Sequence, residues 1–76
     1  NLDIEQYLEM LLLQSSRCKI CNEYIDDSKS QVCVDHNHTT GKVRGLLCRE
    51  CNTGLGLVKD DIKIIERAIK YLEKMQ

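Results

Sequence analysis

The feature that most constrains this chain is the spacing of its cysteines. Cys18 and Cys21 form one C-x-x-C pair, Cys48 and Cys51 form a second, and 26 residues lie between the pairs. A two-residue gap lets both sulfurs of a pair converge on one ion from a tight turn. Two such pairs supply a complete tetrahedral S₄ set. Thiolate softness and the absence of an open fourth position point to a closed, structural zinc site. A redox dithiol needs only one C-x-x-C, normally beside a βαβ pattern that this chain lacks. The fifth cysteine, Cys33, lies between Val32 and Val34 and reads as a small buried hydrophobe. An odd count argues against a closed disulfide set, so a reducing, intracellular compartment, the cytoplasm, is expected.

A staple of this kind answers a need. The 76 residues, with no Phe, Trp or Pro, are expected to form one domain over residues 1–76. So short a chain buries a small core and usually requires a second source of stability.

Hydrophobic periodicity places the elements around the cysteines. Ile4, Tyr7, Leu8, Leu11 and Leu12 recur at helical steps. They predict an entry helix N-capped by Asp3, with Gln6 closing a capping box, and ended by Ser15 and Ser16. A knuckle turn over residues 17–24 follows, then a polar, mobile loop over 25–31. Residues 31–36 alternate as a short strand, 37–42 form a turn around Gly41, and 42–48 form a second strand antiparallel to the first. The segment from Cys48 should start a helix that Gly54 and Gly56 stop within about two turns. The last helix is capped by Asp60 or Asp61, with Ile62, Ile65, Ala68, Ile69, Leu72 and Met75 as its buried stripe. The two long helices are expected to pack on each other and on the hairpin, or to meet a second copy in a homodimer. The fold class is therefore a small α+β, zinc-stapled domain.

Charge narrows the partners. The net charge is −1, but residues 36–59 carry Lys42, Arg44, Arg49 and Lys59 against Glu50 alone. No apolar run approaches the roughly 20 residues of a membrane span. The first ten residues hold Asp3, Glu5 and Glu9, unlike the basic start of a signal peptide.

If sulfur saturates the zinc, the histidines are free for other work. Asp35 and His36 end the first strand, His38 follows in the turn, and Asn52 directly follows a zinc ligand, which would fix its backbone. A hard cation such as Mg²⁺ takes few protein oxygens and completes its shell with phosphate and water. The Asp35 carboxylate and the Asn52 amide oxygen suit it. A neutral His36 could take a proton from an attacking water. Lys42, Arg44 and Arg49 would then follow a phosphodiester backbone. Adjacent strand residues point to opposite faces. Asp35 and His36 can therefore address one phosphate only if the strand bends there, with an irregular loop to about Lys42.

The stretch VDHNHTTGKVRGLLCRECNTGLG, preceded by a C-x-x-C pair, resembles the recombination endonuclease VII group of phage nucleases over about residues 4–75. That group belongs to the HNH, or His-Me finger, superfamily. The resemblance implies a ββα-metal core with flanking N- and C-terminal helices. It implies structural zinc on Cys18, Cys21, Cys48 and Cys51, and a catalytic Mg²⁺ or Mn²⁺ on Asp35 and Asn52. His36 would be the general base, with His38 near the scissile phosphate. Asn37 departs from the D-H-D-H that many members carry, and is expected to tune a phosphate contact. The implied activity is one-metal hydrolysis of DNA to 5′-phosphate and 3′-hydroxyl ends, by a phage-encoded protein in its bacterial host. Nicking or cutting of ordinary duplex is expected ahead of branched DNA, because the best-studied members carry a large junction-recognition region beyond this core. The alternative is a zinc-ribbon-like module that binds nucleic acid or protein without cutting. The same cysteines and cations would serve it, whereas the Asp35, His36 and Asn52 set would have no use.

Overall fold

The computed structural model describes residues 2–74. In chain order these form α1 (Ile4–Leu13), a 3₁₀ turn (Asp27–Lys29), β1 (Cys33–His36), β2 (Val43–Leu47), α2 (Arg49–Leu57) and α3 (Ile62–Lys74).

The entry helix begins as its sequence predicts. The Asp3 carboxylate accepts the Gln6 N–H at 2.8 Å and the Gln6 side-chain oxygen accepts the Asp3 N–H at 3.1 Å, a complete capping box. Beyond Gln14, Ser15 and Ser16 both turn into left-handed backbone at φ 54°, which ends the helix and redirects the chain.

Gln14 does more than close α1. Its side chain copies a neighbouring strand: Nε2 donates to the Leu46 carbonyl at 2.9 Å and Oε1 accepts the Leu46 N–H at 2.9 Å. Through this one residue α1 is locked to β2 at a fully buried position.

The knuckle is stitched to the same strand. Arg17 and Tyr24 form an isolated antiparallel bridge, Asn22 occupies left-handed backbone at φ 66°, and the Lys19 N–H donates to Leu46 O at 3.1 Å. Gly45 allows this approach, because a Cβ there would stand 2.8 Å from the Lys19 Cδ.

The polar segment expected as a mobile loop is instead a tethered turn. The Asp26 carboxylate caps it by accepting the Ser28 N–H at 3.0 Å. The Tyr7 hydroxyl, 20 residues away, donates to Asp27. Partial burial and the adjacent Asp27 carboxylate push the Tyr7 phenol up to about 12, so it stays a donor.

β1 and β2 make a two-stranded antiparallel ladder in which Cys33 faces Leu47, Val34 faces Leu46 and Asp35 faces Gly45. The next pair is His36 with Val43, so Arg44 is an extra residue on β2. This bulge supplies the bend that Asp35 and His36 were expected to need. The loop beyond is built on Asn37, whose side-chain oxygen accepts the N–H groups of Thr39 and Thr40, and on Gly41 at φ 77°. The core is small: Ile25, Leu46, Leu47 and Cys18 are buried, with Tyr7, Met10, Leu11, Val32, Leu55, Cys48 and Cys51 packed around them. Cys33, expected to be fully buried, is only half-buried.

Two expectations about the C-terminal half need correction. Gly54 and Gly56 do not stop α2, which runs through both to Leu57. An interior glycine costs only about 1 kcal/mol. The Cys48 cap at one end and Leu55 packing on the core offset that cost. The stop comes at Lys59 and Asp60, both left-handed, with the Asp60 N–H donating to Leu55 O at 2.9 Å. The second correction concerns α3. Asp61 is its cap, accepting the Lys63 N–H at 2.9 Å. Its apolar stripe, however, stays largely open among the described residues: Ile62, Ile69 and Leu72 are 71%, 51% and 57% exposed, and only Ile65 is half-buried. Met75 lies outside the described residues. The turn at Lys59 and Asp60 carries α3 off the hairpin. The radius of gyration, 13.9 Å, accordingly exceeds the about 11 Å of a compact chain this long.

Two substitutions check this account by calorimetry. Gln14→Ala strips the buried Leu46 N–H of its partner and should cost about 1–3 kcal/mol; an unchanged melting temperature would show that the clamp is not needed. Gly54→Ala adds a methyl with nothing within 4 Å and should gain up to about 1 kcal/mol. A loss would mean the glycine is required for its backbone.

Candidate active site and metal centre

The four cysteines of the two C-x-x-C pairs meet. The Sγ atoms of Cys18, Cys21, Cys48 and Cys51 all lie within 4.8 Å of one another, the only such cluster of ligand atoms among the described residues. Cys21 and Cys48 stand 3.8 Å apart, the edge of a tetrahedron with metal–sulfur bonds of about 2.3 Å. Each knuckle also aims backbone at sulfur: the Ile20 N–H donates to Cys18 Sγ at 3.4 Å and the Cys51 N–H to Cys48 Sγ at 3.3 Å.

The electrostatics of these thiols call for a cation. Burial alone would raise Cys18, but hydrogen bonds from the backbone at Cys48, Cys21 and Ile20 outweigh it and hold the thiol down to about 6. Burial and then the neighbouring sulfurs push Cys51 up to about 12. Four thiolates cannot share this volume without a positive charge among them, and a bound divalent ion supplies it.

A second constellation gathers one layer away. Asp35 and His36 from the end of β1, His38 from the loop after it and Asn52 from the first turns of α2 line one cavity of about 260 Å³, with Val34, Leu55, Gly56 and Asp60. Asp35 is 8% exposed and Asn52 is half-buried, while His36 and His38 are exposed, their ring centroids 5.3 Å apart. Asp35 and His36 reach the same cavity because the bulge twists the ladder between them. The donor set suits a hard ion, with one carboxylate and one amide oxygen and room for other ligands.

The predicted cations separate. Lys42 and Arg49 lie on the surface, Arg49 donating to the Ser30 carbonyl at 3.3 Å. Arg44, expected beside them as a backbone contact, is occupied internally. It donates to both Asp35 oxygens, at 2.7 and 3.0 Å, and to Asp60 at 3.0 Å. These two pairs are the only salt bridges among the described residues. Arg44 is held strongly in its charged form by Asp35 first and Asp60 second. Asp60 is the residue that sequence reasoning missed here. Beside Asp61 it read only as a helix cap, and no spacing rule links it to Asp35.

A β-hairpin with a helix packed behind it, a polar cavity between them and four cysteines positioned to bind a metal at its base define a ββα-metal nuclease fold. The crystal structure of the ββα-Me type II restriction endonuclease Hpy99I matches it with a TM-score of 0.72 at 35% identity, over 100% of this chain and 44% of that one. The family model for recombination endonuclease VII matches residues 1–74, and the chain belongs to that family. Two curated relatives, the Gene 59 proteins of Mycobacterium phages D29 and L5, are each 44% identical, over 71 and 69 residues. Those spans are 92% and 90% of this chain and 42% of each relative's length. No helix among the described residues is long and apolar enough to cross a membrane.

The cysteine centre is expected to hold the small core together. Stripping its metal with a chelator should abolish the far-UV circular dichroism of the folded state. An unchanged spectrum and melting curve after verified removal would show that the core stands without it.

Proposed function

We propose that residues 1–76 form a single HNH-type nuclease domain that hydrolyses DNA phosphodiester bonds with one catalytic divalent ion. The observation that carries this reading is the shared cavity of Asp35, His36, His38 and Asn52, drawn from a bulged strand and from the helix that begins at a cysteine ligand.

In this reading zinc fills the Cys18, Cys21, Cys48 and Cys51 site and takes no part in the chemistry. Asp35 and Asn52 hold Mg²⁺ or Mn²⁺. The ion, when bound, offsets charge on the scissile phosphate and on the departing oxygen. His36 accepts a proton from the water whose oxygen bonds to phosphorus. The bond from phosphorus to the 3′ oxygen breaks, and that oxygen is protonated by solvent, leaving 5′-phosphate and 3′-hydroxyl ends. His38, beside His36, donates to a phosphate oxygen. Lys42 and Arg49, the surface cations, contact the backbone without reading sequence.

One cavity cuts one strand, so the natural product is a nick in duplex DNA. Cleavage of both strands needs sequential nicking or a second copy, for which the exposed apolar face of α3 is an available surface. The phage relatives and the reduced-thiol chemistry of the centre support work in the cytoplasm of an infected bacterium.

A supercoiled-plasmid assay tests the reading. With Mg²⁺ or Mn²⁺ the protein should convert plasmid to open circles, and His36→Ala should slow this by roughly 100-fold or more, the usual worth of a general base. If both proteins are inert over a range of ions while still retaining plasmid in a gel, the chain is a binding module and not a nuclease. Equal activity in both would remove His36 from the mechanism.

A further inference from the structure

Asp35 enters its cavity already gripped from behind. Arg44 Nε donates to Oδ2 at 2.7 Å and Nη2 to Oδ1 at 3.0 Å, a two-pronged fork that fixes the carboxylate plane. The same Nη2 reaches Asp60 Oδ2 at 3.0 Å. Arg44 is the residue that the bulge inserts into β2, so no residue faces it across the ladder and its side chain is free to fold back. Asp60 is fixed in turn by left-handed backbone at φ 55° and by its N–H bond to Leu55 O.

The fork leaves Asp35 usable. An ionised carboxylate offers about four lone-pair sites. Arg44 takes one on each oxygen, and the others remain. Arg44 is absent from the walls of the cavity that Asp35 shares with His36, His38 and Asn52. It lines instead the neighbouring hollow of about 580 Å³, with Lys59, Asp60 and Ile62. The two hollows share His38, Gly56 and Asp60, and of the two only the second has Arg44 in its wall.

We propose that Arg44 is a positioning residue, braced by Asp60, that aims the Asp35 carboxylate at the divalent ion while staying outside the ion's own cavity. The inference rests on the reading of Asp35 as an ion ligand. It makes Asp60, at the junction of α2 and α3, the far end of the same support. Outer-shell partners of metal-binding side chains typically carry roughly 10- to 100-fold in metal affinity. Lysine, a single point charge, cannot reproduce the fork.

The test is a Mn²⁺ titration of the protein without DNA, its cysteine centre loaded with zinc, followed by the electron paramagnetic resonance signal of the free ion. Arg44→Ala should weaken Mn²⁺ binding roughly 10- to 100-fold with zinc content and far-UV circular dichroism unchanged. Arg44→Lys should fall between it and the parent. Asp60→Asn, which leaves the fork and an acceptor but removes the charge of its brace, should weaken binding less than Arg44→Ala. The last two variants carry the test if Arg44→Ala does not fold. Parent-like or tighter binding in the Arg44 and Asp60 variants overturns the proposal, the tighter case showing that Arg44 competes with the ion. Asp35→Asn separates the two levels. If it alone loses Mn²⁺, only the role of Arg44 is wrong; if it binds like the parent, the ion site has been misplaced and both readings fall.

Discussion

Four sulfurs within 4.8 Å of one another are placed to hold this domain together around one metal ion. They join a knuckle at Cys18 and Cys21 to the first turn of α2 at Cys48 and Cys51, and everything between is looped out as the 3₁₀ turn and the hairpin. The buried core is small, four residues with a half-buried ring around them. Cys18 is itself one of its four buried hydrophobic residues, and Cys48 and Cys51 pack against it. The metal centre and the core are thus one structure. The clamp of Gln14 and the bond from Lys19 both fall on Leu46, a fully buried residue just before Cys48. Each ties the N-terminal half to the strand that delivers the second sulfur pair.

From that base the reactive cavity follows by adjacency. Asn52 comes one residue after Cys51, so the centre that orders the start of α2 also places the amide. Asp35 and His36 arrive from the opposite strand, and a single extra residue in β2 turns both toward the amide. The same bulge frees Arg44 to brace Asp35. One local irregularity thereby does two jobs, presenting the reactive side chains and supplying the cation that fixes one of them.

Local signals carried most of the element plan. The capping box at Asp3 and Gln6, the left-handed serines after α1, the two strands and the Asp61 cap are short-range chemistry, and they form as their residues indicate. The glycines of α2 misled for an equally physical reason. A propensity penalty near 1 kcal/mol is outweighed once the helix is capped by a cysteine and packed through Leu55. The stripe of α3 misled differently. Periodicity shows that a helix has an apolar face, but it does not show which surface covers it. Here the face remains open among the described residues.

The sequence by itself determined the sulfur set, the β-hairpin and the proximity of Asn52 to a metal ligand, because each is marked by a short-range pattern: two C-x-x-C pairs, two alternating runs around Gly41, and an Asn directly after a cysteine. The gathering of Asp35, His36, His38 and Asn52 was legible as well, through the need for a bend at the end of β1. Only the tertiary structure decided what surrounds them. Arg44 read as one cation in a basic stretch and Asp60 as a helix cap. The bulge and the turn before α3 bring Asp35 and Asp60 together on Arg44, across nine residues of sequence on one side and sixteen on the other. No periodicity or motif encodes such a contact. It exists because an unpaired arginine and two carboxylates, placed by separate elements, reach lower energy together than apart.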